Sequence, residues 1–324
     1  MLINFFGTLC YHYPSHFVGN LTVLAIFALQ MSHKSGFVNI VGKPNVGKST
    51  LMNALLGQDI SIVTPKAQTT RHRIKGILNT DEYQIVFSDT PGIMKPAYKL
   101  HEKMLDAVNA SFTDADVVMY VTELNDKTID PEVKAKLETL DVPLFVIINK
   151  VDGGDQETLE KAVEHWSNEL HPNEIIPISA LHNFYLDVLL QKVVAILPVG
   201  PAYFDKEEGD VSDRNMRFFA AEVVREKILK FYQKEIPYSV EVHVHSYKES
   251  ETIDRILVTI YCARESQKAI LLGHQGKAIK KLGMESRKKL EEMLEKQVHI
   301  ELTVKVVDDW RNNDRLLREF GYDK

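Results

Sequence analysis

Gly42, Gly47, Lys48 and Ser49 fall in the run Gly42-Lys43-Pro44-Asn45-Val46-Gly47-Lys48-Ser49-Thr50 at the spacing G-x-x-x-x-G-K-[ST], the pattern of a loop that cradles phosphates. The apolar run Phe37, Val38, Asn39, Ile40, Val41 precedes it, and Leu51, Leu55 and Leu56 follow at helical spacing. The loop is therefore expected to join a buried strand to a helix N-terminus. There the backbone N–H groups and the helix dipole face a β-phosphate, Lys48 reaches the β and γ oxygens, and the Ser49 hydroxyl suits Mg²⁺.

Three later segments extend this chemistry. The run Ile85-Val86-Phe87-Ser88-Asp89-Thr90-Pro91-Gly92-Ile93 ends an apolar strand in a carboxylate able to hold Mg²⁺ through water, and Gly92 offers an N–H to a γ-phosphate. A second apolar strand ends in Asn149-Lys150-Val151-Asp152, and a third in Ile175-Ile176-Pro177-Ile178-Ser179-Ala180. The order resembles the translation-factor-like GTPases. In those proteins the aspartate of N-K-x-D accepts two hydrogen bonds from guanine, which makes Asp152 the base-reading residue and places Ser179 and Ala180 near the base. GTP or GDP and Mg²⁺ are the implied ligands, with Lys48, Thr70, Asp89 and Gly92 at the reacting phosphate. Taken separately, Asp89 also suits a helix cap and Asn149 a turn.

Between the phosphate loop and Asp89 lies SIVTPKAQTTRHRIKGI, rich in threonine and basic residues and weak in periodicity, as a mobile loop entering a strand would be. The resemblance implies that a threonine here joins Ser49 and Asp89 at the metal; Thr70 is the better match and Thr69 the alternative. Ras-like enzymes place a water-orienting glutamine where this chain has Ile93, so slow intrinsic hydrolysis is expected. Asn45 resembles the asparagine through which some of these GTPases bind K⁺, and it equally suits a turn.

The 324 residues, 44% hydrophobic and 26% charged, exclude a fibrous or disordered chain and allow about two domains. The formal charge of −6 hides a split: residues 1–213 hold 17 Lys/Arg against 27 Asp/Glu, and residues 214–324 hold 22 against 18. A polyanion partner is expected at the second part. Cys10 and Cys262 form no C-x-x-C pair, which argues against a disulfide framework or zinc site and fits the cytoplasm. Residues 1–30 carry no Lys, Arg, Asp or Glu. They read as an extension outside the fold or as a mis-assigned start before Met31. Their apolar run is too short to span a bilayer and lacks a basic stretch before it, which disfavours a signal peptide.

The helical pattern through Leu186, Leu189, Val193 and Leu197 stops at Pro198, and residues 201–213 read as a linker. From 214 to 324 the predicted order is αββααβ: a helix to about 231, strands carrying Val240, Val242, Val244 and then Ile256, Val258, Ile260, a short helix to Leu272, a longer helix, and a last strand from Val298 to Val306. The turn Gly273-His274-Gln275-Gly276 lies between the two consecutive helices. Its glycines admit a nucleic-acid backbone, and Lys277, Lys280 and Lys281 add positive potential. Pairing of the lysines with Glu285, Glu291, Glu292 and Glu295 as a solvated face is the plainer reading.

With GKPNVGKST, KAQTTRHRI, DTPG, NKVD, this second unit and the terminal DDWRNNDRLLREFGY, the chain from Met31 onward resembles the bacterial Era family. The resemblance implies an α/β fold: a P-loop NTPase G domain (31–200), mostly a parallel sheet flanked by helices, followed by an α+β type II KH domain (214–324). It also implies a monomer that binds the 3′ end of 16S rRNA, acts in 30S subunit assembly, and associates peripherally with the cytoplasmic side of the cell membrane. Two rival readings remain beside it: an RNA chaperone with a vestigial nucleotide site, which the intact Lys48, Ser49, Asp89 and Asp152 oppose, and the cytosolic part of a membrane transporter, which only the apolar start favours.

Overall fold

A computed structural model describes residues 33–205 and 211–322. The expectation for residues 1–30, Cys10 and part of the 201–213 linker lie outside the described residues. The first unit runs β1 (Lys34–Gly42), α1 (Lys48–Leu56), β2 (Ile74–Asn79), β3 (Tyr83–Asp89), α2 (Lys99–Ala110), β4 (Val117–Glu123), α3 (Pro131–Glu138), β5 (Leu144–Asn149), α4 (Gln156–Leu170), β6 (Glu174–Pro177) and α5 (Leu186–Ile196). Its strands are ordered β2-β3-β1-β4-β5-β6, with only β2 antiparallel. Strands such as Leu144–Asn149 are apolar up to their last residue and buried along their length, as a parallel sheet covered on both faces requires. The register pairs Ile40 with Asp89, Val41 with Tyr120 and Glu123 with Asn149, so these strands finish along one edge of the sheet. β1 lies between β3 and β4, and the chain crosses from β3 over β1 to β4; the crevice outside the strand ends at such a switch point is where ligands bind.

The second unit contains α6 (Met216–Phe231), α7 (Ile236–Ser239), β7 (Val240–Lys248), β8 (Ile253–Cys262), α8 (Glu265–Leu272), α9 (Lys277–Leu294), β9 (Gln297–Val306) and α10 (Asp314–Glu319). Strand order is β7-β8-β9, antiparallel then parallel. Its core joins Ala220, Val224 and Ile228 of α6 to Val240, Ile256, Ile260, Leu282 and Leu290. The αββααβ order is present with two additions, the short α7 and the terminal α10. Alternation places Val240, Val242 and Val244 on one face of β7, yet Glu241 between them is also buried. Arg71 of the first unit pairs with it at 3.0 Å and Tyr322 donates to it at 2.9 Å, which compensates the desolvation of the carboxylate.

The described linker residues lie along the first sheet. The N–H groups of Tyr203 and Phe204 donate to Gln84 Oε1 at 2.6 and 3.0 Å, Ile77 N–H donates to Val211 O, and the Tyr203 ring stands 4.6 Å from that of Phe37. The terminal WRNNDR segment closes the interface between the two units. Trp310 is fully buried with Leu100 and Met104 of α2, and its indole N–H donates to Ser239 O. Asn312 Oδ1 accepts from Lys99 N–H, and the Arg311 guanidinium lies 4.5 Å over the Tyr98 ring.

Candidate functional site

The turn out of β1 needs glycine for packing as well as for φ. A Cβ on Gly42 would stand 2.3 Å from Val121 O and one on Gly47 2.3 Å from Asn149 Nδ2, and both residues have positive φ. The Lys48 ammonium is buried and donates to Gly42 O and Lys43 O at 3.0 and 2.8 Å. Burial lowers its pKa to about 8, against the attraction of Asp89. Ser49 Oγ donates to Asp89 Oδ2 at 2.6 Å and lies 2.8 Å from Thr70 Oγ1, which donates to the same carboxylate oxygen at 3.1 Å. Thr69 instead bonds Lys66 O and Thr64 Oγ1. Of the two threonines that the sequence left open, Thr70 is therefore the one beside Ser49.

Asp89 is fully buried, and its Oδ1 has no hydrogen-bond partner among the described residues. Burial pushes the carboxyl up, opposed by Lys48 and by the hydroxyl bonds from Ser49 and Thr70. A buried carboxylate with an open oxygen, flanked by two hydroxyls, is a hard-oxygen donor set that suits Mg²⁺.

A cavity of about 550 Å³ begins at Lys48, Ser49 and Thr70 and ends at Asp152 and Ser179. Asp152 Oδ1 accepts from Ser179 Oγ at 2.5 Å, and His182 lies 3.8 Å from the other oxygen. The Ser179 bond, foremost, holds the Asp152 carboxyl below its ordinary value. An ionised carboxylate only accepts, so it complements a base edge that presents two adjacent donors.

Several predicted site residues face elsewhere. Asn149 is a strut: its side chain donates to Val46 O and accepts from Lys150 N and Ala180 N, tying the phosphate loop to the base-end loop. Lys150 Nζ reaches Asn45 O and Glu123. Lys43 turns away to Asp126 and Thr128; with Ile93 it lines a second cavity of about 580 Å³. Val46 and Pro91 are buried, and Thr90 Oγ1 donates to Ile40 O. Thr50, Gly92, Lys150 and Ala180 line the first cavity, while Val151 opens the short turn before Asp152. Asn45 has φ 67°, a left-handed conformation that asparagine tolerates. Its side chain makes no hydrogen bond among the described residues, so backbone conformation, and not a side-chain bond, is what the turn takes from it. Gln68, within KAQTTRHRI, also lines the cavity, as do Val63 and Leu181; no motif marks the last two, and only their place in loops beside the motifs signals them.

In the second unit the two glycines of the turn differ. A Cβ on Gly273 would stand 2.6 Å from Ala278 Cβ, whereas one on Gly276 would meet nothing within 4 Å. Packing alone thus explains the first, and the second leaves an open approach to the N-terminus of α9. His274, Gln275, Lys277, Lys280 and Lys281 are exposed. Lys281 lies 4.9 Å over the Phe231 ring. The ion pair of α9 with its own acids is Arg287 to Glu291, four residues apart, and Lys277 and Lys280 have no ion pair among the described residues.

A phosphate loop, a buried magnesium-type carboxylate and an N-K-x-D corner on a mostly parallel sheet, followed by an αββααβ unit with a G-x-x-G turn, define a G protein that carries a KH domain. The 50S ribosome-binding GTPase family matches residues 37–150, and a KH domain family matches residues 235–311. GTPase Era of Thermoanaerobacter sp. (strain X514) is 41% identical over 297 residues, covering 90% of this chain and 97% of that protein. GTPase Era of Staphylococcus epidermidis is 39% identical over 293 residues, with coverages of 90% and 97%. A crystal structure of Era in complex with MgGDPNP and nucleotides 1506–1542 of 16S ribosomal RNA matches with a TM-score of 0.84 at 37% identity, covering 90% of this chain and 99% of that one. A variant of Aquifex aeolicus Era bound to GDP·AlF4⁻ matches with the same score and identity, covering 89% and 99%. The chain belongs to the Era family of GTPases, enzymes that hydrolyse GTP. Among the described residues no helix is long and apolar enough to cross a membrane.

Proposed function

We propose that this chain is a GTP-driven switch that binds the 3′ end of 16S rRNA through its KH domain and acts in assembly of the 30S subunit. The observation that carries the nucleotide half is the convergence of Lys48, Ser49 and Thr70 at one end of a single cavity, with Asp89 hydrogen-bonded behind the two hydroxyls, and of Asp152 with Ser179 at the other. The RNA half rests on the open Gly276 turn at the head of a basic helix and on the Era relative solved with 16S rRNA nucleotides.

Ser49, Thr70 and Asp89 would hold Mg²⁺, which supplies neutralisation of the charge developing on the β and γ oxygens. Lys48 binds and orients the same oxygens, the loop N–H groups and Gly92 N–H face the phosphates, and Asp152 fixes the guanine. Water attacks the γ-phosphorus, giving GDP and phosphate. Ile93 brings no polar atom to the attacking water, so turnover is slow until a partner or ion assists.

The test is GTP hydrolysis in K⁺ and in Na⁺, with and without a short RNA copying the 3′ end of 16S rRNA. Stimulation by this RNA and not by a scrambled one is expected, and a K⁺ requirement would assign Asn45 to the ion. Binding of GTP with no response to RNA would overturn the proposed target.

Lys48 gives a separate pH prediction. With a free-protein pKa of about 8, it is charged below that value and must take up a proton to bind phosphate above it. GTP affinity is therefore expected to be flat near pH 7 and to fall by up to about tenfold per unit as pH rises past 8. Titrations with a fluorescent GTP analogue read this directly, and a flat profile to about pH 9.5 would remove Lys48 as the phosphate's cation.

A further inference from the structure

The segment between α1 and β2 has no strand or helix of its own, yet it must place one hydroxyl. Thr70 Oγ1 lies 2.8 Å from Ser49 Oγ and 3.1 Å from Asp89 Oδ2. What holds the backbone on either side of it comes from the second unit. Upstream, Arg225 of α6 donates through Nη2 to Thr69 O and through Nη1 to Gln68 O at 3.4 Å. Downstream, the Arg71 guanidinium donates to Val240 O at 2.7 Å, to Glu241 and to Pro237 O. Gln68 sits at φ 56°, a left-handed conformation that a non-glycine residue keeps only where neighbours enforce it.

We propose that Arg225 is a positioning residue for GTP hydrolysis: by gripping the Gln68 and Thr69 carbonyls from the KH unit, it sets the Thr70 hydroxyl beside Ser49 and Asp89. The proposal rests on the reading of Thr70 as a member of the metal site. Arg225 is built for this task. It is 1% exposed, and Glu222, one turn earlier on α6, takes its Nε at 2.7 Å and its Nη2 at 2.5 Å. That bidentate pair fixes the plane of the guanidinium and leaves its outer edge for the two carbonyls. Lys66 adds a second tie from the same loop to α6, donating to Leu229 O and Tyr232 O at the end of the helix. Any displacement of α6 therefore moves the Thr69–Thr70 peptide, and the active geometry exists only while the second unit is docked as it is here.

The test uses the full chain with Arg225→Lys, Arg225→Met, the pair Arg225→Met with Glu222→Met, and Thr70→Ala as reference. The paired change removes both buried charges together, which avoids stranding Glu222 and keeps apolar bulk in the helix. The pair is expected to melt near the native temperature and to hold GDP within about twofold, while kcat drops about 10-fold or more, as a misplacement of order 1 Å allows. KM should change far less than kcat, and the Mg²⁺ concentration for half-maximal hydrolysis should rise. Arg225→Lys should fall between, because one ammonium cannot span both carbonyls and the carboxylate. The decisive reading is coupling: adding the pair to Thr70→Ala should produce no further loss. Unchanged kcat in the folded pair, or losses that multiply with Thr70→Ala, would overturn the role of Arg225. If the pair does not fold, a native kcat in Arg225→Lys overturns it equally. If Thr70→Ala alone alters neither turnover nor Mg²⁺ dependence, the error lies in the placement of Thr70 at the metal, and the proposal falls with it.

Discussion

Asp152→Asn is expected to lower GTP affinity about 100-fold and to make xanthosine triphosphate the preferred ligand. Two hydrogen bonds to a charged acceptor are at stake, and each such bond contributes roughly 1.5–3 kcal/mol, with about 1.4 kcal/mol for every tenfold. The carboxylate accepts from Ser179 through Oδ1 and remains ionised at neutral pH, its pKa held down chiefly by that bond. Asparagine keeps the shape but replaces one acceptor with a donor. That donor opposes the exocyclic amine of guanine and matches the carbonyl that xanthine carries in its place. Competition binding with the two triphosphates reads the switch. Unchanged preference for GTP would detach Asp152 from base recognition, and the loop of Ser179 with it.

Gly276→Asp is expected to reduce RNA affinity about 100-fold or more while leaving GTP affinity within about twofold. The backbone of a G-x-x-G turn clamps nucleotides in KH domains, and a carboxylate there meets phosphates with like charge. The structure separates this substitution from its neighbour. A side chain on Gly276 enters open space, and aspartate adopts its φ of 75° at less cost than most residues, whereas a side chain on Gly273 strikes Ala278 and would disturb α8 against α9. Only the Gly276 variant therefore reports on contact without unfolding the turn. Electrophoretic or anisotropy titration with the 16S-type RNA, run beside a GTP titration on the same sample, would show the split. RNA affinity that survives in the folded variant would exclude this turn as the contact.

Much of the nucleotide site was legible because its parts are local in sequence. A phosphate cradle is one continuous turn between a strand and a helix, so Gly42 to Ser49 announces itself by spacing. Asp89, Asn149 and Ser179 each end an apolar run, and strands that run parallel must end at a common edge, so the sequence pattern alone brings three distant segments to one crevice. The αββααβ order of the second unit was legible for the same reason: the periodicities of helices and strands are written residue by residue.

Side-chain direction was not. Lys43 and Asn149 lie within the motifs, yet one turns to Asp126 and the other braces Val46, because the direction of a side chain is settled by what packs around it. The choice between Thr69 and Thr70 depends on which hydroxyl reaches Ser49, a matter of loop path that no periodicity encodes. Glu241 breaks the alternation of its strand because Arg71, 170 positions away, neutralises it.

The sequence by itself determined the chemistry of the site, since chemistry follows from residue types at short spacing. It also determined the class of each unit through its periodic patterns. The tertiary structure alone decided that the KH unit holds the loop on which Thr70 sits, and that the terminal Trp310–Arg315 segment clasps α2. Those contacts join residues more than a hundred positions apart, and their energy comes from burial and hydrogen bonding that exist only once both units are folded and docked.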